Sequence, residues 1–225
     1  MAPAPQDPDL GRQVRPRGVR RVGPMSSPHV VREAYSTQAQ PYIDLLGTMD
    51  VVHPDDQRLI EHHLGRANGP VLDIGCGPGH LTNFLCSAGA DVTGIDLVPE
   101  FVAHARQAHP AARFQVGSMT DTGRPDGSVA GVLAWYSLIH LDPEQVGDTL
   151  CVIRRLLSPG GTFVLGFFDG PALESFTHKV TTAYRWPVDE VAAWLAATGF
   201  AEVERLQRGW DEERGPHAAI AARGV

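Results

Sequence analysis

The stretch VLDIGCGPGH, from Val71 to His80, places three glycines at alternate positions directly after a short apolar run. An apolar run, a glycine cluster and then an amphipathic segment are typical of a strand, a tight turn and a helix. Glycine allows the sharp turn, and it lets backbone N–H groups approach a ligand because no side chain intervenes. The stretch therefore predicts a nucleotide-type binding turn in an α/β fold.

The spacing of the glycines distinguishes between ligands. A dinucleotide site follows G-x-G-x-x-G, whose third glycine would fall at His80, whereas this stretch reads G-x-G-x-G. Asp73 stands two residues before the first glycine, at the predicted strand end, where a carboxylate repels a pyrophosphate and suits a cationic amine. These features argue against an NAD-dependent oxidoreductase, which stays open as the less favoured alternative.

With its acid and its three glycines, the segment from Leu72 to Gly79 resembles motif I of the class I S-adenosylmethionine (SAM) methyltransferases. A second feature agrees with it. Asp96 ends the second predicted strand about 20 residues after Gly75, the interval expected for the acid that takes both ribose hydroxyls in doubly wound nucleotide folds. A plain helix N-cap is the alternative role for Asp96.

The resemblance implies an α/β, doubly wound sheet of seven strands in the order 3-2-1-4-5-7-6, with the last strand antiparallel and helices on both faces. It implies SAM as cofactor and S-adenosylhomocysteine as product. Ser118 stands where many members carry an acid for the adenine amino group, and the segment from Tyr35 to Tyr42 is similar to a lid over the SAM pocket; core packing is an equal alternative for the tyrosines. The residues expected at the cofactor are Asp73, Gly75, Cys76, Gly77, Gly79, Asp96, Leu97, Ser118, Met119 and Tyr35.

The segment WYSLIHL, from Trp135 to Leu141, follows the predicted fourth strand, and ligands of this fold bind beyond the carboxyl ends of the strands. Trp135 and Tyr136 are expected either to line the acceptor pocket or to pack against the sheet. His140 is the candidate catalytic base, with a structural hydrogen bond as its alternative role. The segment lacks the N-P-P-Y and D-P-P-Y sequences that resemble amide and exocyclic-amine methyltransferases, which disfavours DNA and protein-glutamine substrates.

Residues 168–186 are predicted to form a long connection after the fifth strand. Long connections in compact domains are usually functional or disordered, and this one contains several aromatic residues and a histidine. We interpret it as a substrate-specificity segment in which Tyr184 and Trp186 contact the acceptor.

Composition limits the remaining possibilities. The chain has 225 residues, 43% of them hydrophobic, and a formal net charge of −7, which fits one α/β domain and argues against nucleic-acid or anionic-membrane partners. Three widely spaced cysteines without a C-x-x-C pair predict no metal site and a reducing, cytoplasmic setting. No apolar run approaches the length of a membrane span.

The chain divides into two parts. Residues 1–28 are rich in proline and arginine and are predicted to be a disordered tail, while residues 29–225 form the predicted methyltransferase domain. The predicted function is methyl transfer from SAM to a small-molecule acceptor, for which secondary metabolism is one setting. A SAM-fold protein that binds without catalysing transfer is the alternative, and the sequence indicates neither the acceptor nor the oligomeric state.

Overall fold

The computed structural model describes residues 27–209 and 215–225, so most of the Pro- and Arg-rich segment and Trp210 lie outside the described residues. The helices are α1 Pro28–Thr37, α2 Ala39–Leu46, α3 Pro54–Leu64, α4 His80–Ser87, α5 Pro99–Ala108, α6 Pro143–Leu156 and α7 Val188–Ala197. The strands are β1 Val71–Ile74, β2 Val92–Asp96, β3 Arg113–Val116, β4 Val129–Trp135, β5 Leu157–Asp169, β6 Glu174–Thr177, β7 Thr182–Trp186, β8 Phe200–Arg208 and β9 His217–Gly224. None of these described helices is both long and apolar enough to cross a bilayer.

The strands form one sheet with the expected order. Parallel strands follow one another as β3-β2-β1-β4-β5, then β9 lies antiparallel beside β5, and β8 pairs with β9. With β8 and β9 as the sixth and seventh strands, this confirms the order 3-2-1-4-5-7-6 and the antiparallel last strand. The strand order reverses between β1 and β4, and ligands of open α/β sheets bind at such a reversal. The glycine turn after β1 therefore lies at the expected edge.

The strand count differs from the prediction because residues 168–186 contain a β-hairpin. Strands β6 and β7 pair antiparallel with each other, and β7 extends the sheet by pairing parallel with Phe168 and Asp169 at the end of β5. The two strands have four and five residues. Such short strands with mixed polar and aromatic residues lack a clear alternation, so the sequence suggested an irregular connection instead.

Apolar side chains cover both faces of the sheet. On one face Leu133 and Val164 belong to a cluster that includes residues of α3 and α4. On the other face Val132 and Leu165 belong to the larger cluster, which includes residues of α6 and α7. Successive strand residues point to opposite faces, so a strand buried on both is apolar almost throughout. This double coverage leaves the carboxyl edge of the strands as the place for a site.

Helices α1 and α2 form a separate cover that packs on α5. Ala39 of α2 is buried with Val98 and Phe101 in a small cluster. Helices α1 and α2 meet at Gln38, and Pro41 falls in the first turn of α2. Proline is tolerated there because the first helical N–H groups have no intrahelical partner.

Candidate functional site

The turn between β1 and α4 is built from left-handed backbone, with φ of 74° at Gly75, 52° at Gly77 and 90° at Gly79. L side chains rarely adopt this region. A Cβ on Gly75 would stand 2.3 Å from the Cβ of Ser137, so Gly75 allows close packing against the chain that leaves β4. A Cβ on Gly77 would meet no atom within 4 Å. Gly77 therefore borders open space, and we call this place the Gly77 cradle.

Asp96, at the end of β2, holds the turn in place. Its Oδ2 accepts a hydrogen bond from the Gly77 N–H at 2.8 Å, and its Oδ1 accepts one from the Val98 N–H, also at 2.8 Å. The side chain is 8% exposed, and burial raises its pKa to about 6 against the lowering effect of the backbone bonds. A carboxylate has about four lone-pair sites, so Asp96 keeps acceptor capacity beside the cradle. Asp96 thus orders the loop before α5 and also presents oxygens suited to a diol.

Asp73 lies beneath the same turn as a second buried carboxylate. It is 1% exposed, and its Oδ2 accepts a hydrogen bond from Thr82 Oγ1 at 2.6 Å. Burial raises the pKa of Asp73 to about 7; the Thr82 bond opposes the rise, and the charge of Asp96 adds to it. Two neighbouring acids that are costly to ionise favour a cationic ligand, because a positive charge would stabilise both carboxylates.

The remaining residues predicted at the cofactor differ in what they offer. Leu97 and Met119 are half-buried, and Met119 packs against the main core cluster. The Ser118 hydroxyl accepts from the Thr120 N–H at 3.2 Å, so it already stabilises its own turn. Cys76 is buried, which raises the pKa of its thiol well above the ordinary value. Cys76 therefore offers its backbone rather than its sulfur.

His140 joins α1 to the hairpin. The Tyr35 hydroxyl of α1 lies 2.8 Å from His140 Nε2, and His140 Nδ1 lies 2.8 Å from the Thr182 carbonyl oxygen in β7. A carbonyl oxygen only accepts, so we assign the ring proton to Nδ1 and the hydroxyl as donor to Nε2. His140 is 5% exposed, and burial lowers its pKa although the Thr182 bond opposes this. Both ring nitrogens are engaged, so His140 has no free lone pair for an acceptor in this arrangement.

Two of the aromatic residues predicted to bind the acceptor hold the hairpin in place. Trp186 is fully buried, with its ring centroid 5.9 Å from Phe167 and 5.8 Å from Trp194. The Tyr184 hydroxyl donates to Asp142 Oδ1 at 2.7 Å and ties β7 to the start of α6. These contacts give both side chains packing and anchoring roles, because β7 joins the sheet and its side chains contribute to the core. Their contact with the acceptor stays a prediction.

The other two aromatic residues lie at the end of β4. Trp135 is half-buried and packs with the cluster on the α3 face. Tyr136 has φ 53°, the one positive φ outside glycine among the described residues. Its hydroxyl lies 2.5 Å from His217 Nδ1, and its ring centroid is 5.0 Å from that of Phe168. Strained backbone of this kind clusters at functional sites, which agrees with the position of Tyr136 at the carboxyl edge.

The structure brings several side chains to this edge that were not predicted from the sequence. The Phe168 ring lies 5.3 Å from Phe176 and 5.7 Å from His178, centroid to centroid. With Tyr136 these residues form a set of half-buried rings, which we call the aromatic wall: Tyr136, Phe168, Phe176 and His178. Residues 168–186 were predicted from their position to set specificity, but which of their side chains reach this edge depends on the hairpin register, which no sequence signal indicated.

Another cluster of ionisable groups lies outside this edge. His62 and His63 of α3 and Glu204 of β8 carry potential metal-ligand atoms within 4.8 Å of one another, although the sequence predicted no metal site. His63 Nε2 is 2.7 Å from Glu204 Oε2 and links α3 to β8. An open cleft of about 710 Å³ on the same surface contains none of the cofactor or acceptor residues described above.

Residues 71–161 match the protein family described as a methyltransferase domain. Among curated proteins, the ubiquinone biosynthesis O-methyltransferase of Xanthomonas campestris pv. campestris is 38% identical over 147 residues, which cover 56% of this chain and 59% of that protein. Across eight curated relatives, the matches span from 39% to 68% of the relative's own length.

Solved structures share the fold over most of the chain. The 1,6-didemethyltoxoflavin-N1-methyltransferase of Burkholderia thailandensis, solved with 1,6-didemethyltoxoflavin and S-adenosylhomocysteine, is similar with a TM-score of 0.76 and 24% identity, covering 91% of this chain and 93% of that one. The (4+2)-cyclase SpnF has a TM-score of 0.70 and 15% identity, with 89% and 98% covered. A cyclase thus shares this architecture, so the fold alone does not identify the reaction.

Proposed function

We propose that this chain is a class I SAM-dependent methyltransferase that transfers the methyl group of SAM to a small-molecule acceptor. When bound, SAM would supply a methyl group on a sulfonium sulfur. A nucleophile that attacks the methyl carbon would displace the sulfur. The observation that carries the proposal is the Gly77 cradle, an open left-handed turn with two buried carboxylates, Asp73 and Asp96, beside it. This donor set suits a cationic nucleoside that carries a diol.

The chain's own residues have distinct parts in this proposal. Asp96 accepts hydrogen bonds from the ribose hydroxyls while it keeps the turn ordered through the Gly77 N–H. Asp73 contributes negative charge toward the cationic end of the ligand. Leu97 and Met119 supply half-buried apolar surface for the base. Methyl transfer depends mainly on positioning, and well-oriented reactants lower a barrier by roughly 7–11 kcal/mol.

The acceptor is proposed to lie at the carboxyl edge of β4 and β5, beside the aromatic wall. His140 and Tyr35 cover this edge from the lid side. Since both nitrogens of His140 have partners, a proton from the acceptor reaches His140 only through the Tyr35 hydroxyl. His140 therefore acts as a direct base only if Tyr35 moves away.

The wider setting is proposed on similar grounds. Residues 29–225 form one methyltransferase domain, and its acidic balance disfavours nucleic acid as the substrate. Cys76, Cys86 and Cys151 are free thiols, which supports a reducing, cytoplasmic location.

A protein that binds SAM without transferring its methyl group is the second candidate. The (4+2)-cyclase SpnF supports this alternative, because it has the same fold and another activity.

Cofactor binding tests the proposal directly. Calorimetry should detect SAM binding by the full chain, and Asp96→Asn should weaken it at least tenfold, because a hydrogen bond to a charged group contributes about 1.5–3 kcal/mol. Asp91→Asn is the control, since Asp91 is an exposed acid paired with Arg113. Unchanged SAM affinity in the folded Asp96 variant, or tighter binding of NAD than of SAM, contradicts the site.

Product analysis separates the two candidate functions. S-adenosylhomocysteine formed with any member of a panel of phenols, N-heteroaromatic compounds and carboxylic acids supports the enzyme. Tight SAM binding with no product from the whole panel favours the binding protein.

A further inference from the structure

We infer that His178, at the turn between β6 and β7, is the acceptor-contacting base of a subsite built for a planar aromatic or heteroaromatic molecule that carries an ionisable N–H or O–H group. The inference rests on the proposed function and names the substrate class and the proton acceptor of that same site.

The first observation is a buried nitrogen. His178 Nδ1 is shielded from solvent and has no hydrogen-bond partner among the described residues. Buried polar atoms are almost always hydrogen-bonded, so such an atom beside a binding edge calls for a partner that comes from outside the chain. In a neutral imidazole, one nitrogen carries the proton and the other accepts. With its proton on Nε2, His178 presents the Nδ1 lone pair to a donor group of the acceptor.

The second observation is the apolar surface around that nitrogen. The His178 ring lies 5.7 Å from both Phe168 and His140 and 6.1 Å from Phe176, centroid to centroid. Phe168 continues this surface to Tyr136. The rings of the aromatic wall are only half-buried, so each still presents part of its surface. Aromatic pairs gain about 0.5–1.5 kcal/mol beyond area burial, which favours a flat ring as occupant.

The charges at the subsite argue against a carboxylate acceptor. Arg185 stacks on Phe176 at 4.2 Å and its Nη1 pairs with Glu174 Oε1 at 3.2 Å, so this cation is already balanced. Lys179 follows His178 and is exposed. Burial, together with the effects of His140 and Lys179, lowers the pKa of His178 to about 4. The imidazole is therefore neutral near pH 7, with a lone pair on one ring nitrogen.

A lone pair of the acceptor nitrogen or oxygen forms the bond to the methyl carbon, and the electron pair of the carbon–sulfur bond goes to sulfur, which becomes a neutral thioether. The methylated heteroatom is now cationic, so its proton is far more acidic than before. That proton passes to His178 Nδ1, and the imidazolium so formed releases the proton on Nε2 to water, a release that a low pKa favours.

Three variants of the full chain test the inference. His178→Phe keeps a ring but removes the nitrogen, and it should lower kcat by about 10²–10⁴-fold and weaken acceptor binding. His178→Asn places an amide oxygen near the position of Nδ1; it should restore the acceptor Kd to within about threefold of wild type without restoring kcat. His62→Asn, an exposed histidine on α3, is the matched control and should change neither.

The readouts are S-adenosylhomocysteine formation and calorimetric binding of the acceptor in the presence of added S-adenosylhomocysteine. Phenols and N-heteroaromatic compounds should be methylated and aliphatic carboxylic acids should not, with kcat flat from pH 6 to 8. Methylation of aliphatic carboxylic acids alone overturns the inference and leaves the proposed function intact, as does an unchanged kcat and acceptor Kd in His178→Phe. If no compound is methylated, the proposed function fails, and binding decides the subsite: aromatic ligands that bind wild type and His178→Phe equally overturn it.

Discussion

At the scale of single residues, the glycines of the turn were predicted as a group but have different physical tasks. Gly75 is required by the nearby Ser137 side chain, which belongs to a segment more than 60 residues later in the chain. Gly77 is required by its backbone angle and by the open space it faces. Motif spacing predicts both glycines, whereas only the folded chain reveals which one a ligand approaches.

Alanine substitutions should separate these tasks. Gly75→Ala should lower the free energy of unfolding by about 1–3 kcal/mol from overpacking, with a further 1–2 kcal/mol from the left-handed backbone. Gly77→Ala carries only the backbone cost but places a methyl group in the cradle, so it should weaken SAM binding more than it lowers stability. Denaturant unfolding and calorimetry measure the two effects.

Gly127→Ala serves as the control for this comparison. Its φ of 65° is similar to that of Gly77, and a Cβ there would also meet no atom within 4 Å. It should match the stability loss of Gly77→Ala while SAM affinity stays at the wild-type value. Equal SAM affinity in the Gly77 and Gly127 variants would mean that the ligand does not approach Gly77.

At the scale of elements, regular segments were predictable and the hairpin was not. The second strand was predicted to end at Asp96, and β2 does end there. Strands β6 and β7 were missed because their pairing depends on contacts with β5 and α6, which no local pattern carries. Phe176 and His178 of the aromatic wall belong to this hairpin, so sequence reasoning could not place them beside Phe168.

His140 connects three of these elements, and this position predicts a positioning role. His140→Ala removes bonds to α1 and β7, each contributing about 0.5–1.5 kcal/mol, so it should clearly lower the melting temperature. Tyr35→Phe removes only the bond to α1 and should have about half that effect. In both variants kcat should fall less than tenfold, because neither residue takes the proton directly.

Thermal unfolding and steady-state kinetics at pH 7.5 check this expectation. An unchanged melting temperature with a loss of kcat above about 100-fold in both variants would show instead that the Tyr35 hydroxyl relays the proton to His140. The rate should also show no ionisation near pH 6.5, since burial lowers the pKa of His140.

At the scale of the whole molecule, the cofactor site reduces the stability of the fold. Asp73 is buried with a pKa of about 7, compared with an ordinary 3.8, so the folded state holds its charged form only at a cost. One pKa unit corresponds to about 1.36 kcal/mol, which puts this cost near 4 kcal/mol at pH 8 as an order of magnitude. A carboxylate of this kind is retained for binding rather than for stability.

The sign of the pH dependence follows from which state binds more protons. Between pH 7 and 4, folded Asp73 and Asp96 are protonated more readily than in the unfolded chain, so they increase stability as the pH falls. His80 and His178, with pKa values lowered to about 4, act in the opposite direction below pH 6.5, because the unfolded chain takes up their protons first. From pH 8 to 6.5, the protonation of Asp73 makes the largest contribution to the pH dependence of stability.

Asp73→Asn should therefore raise the melting temperature at pH 8 and flatten its increase between pH 8 and 6.5, while it weakens SAM binding. Asparagine keeps an oxygen for the Thr82 hydroxyl, which accounts for the retained fold. Asp91→Asn, which removes the same charge from an exposed site, controls for net charge and should leave both the slope and SAM affinity unchanged. Thermal unfolding across this pH range, without and with SAM, measures both properties, and a variant that is less stable at pH 8 or keeps the wild-type slope would contradict the argument. The combination of higher stability with lost binding is the decisive result, because a carboxylate that only supported the fold would lose stability when neutralised.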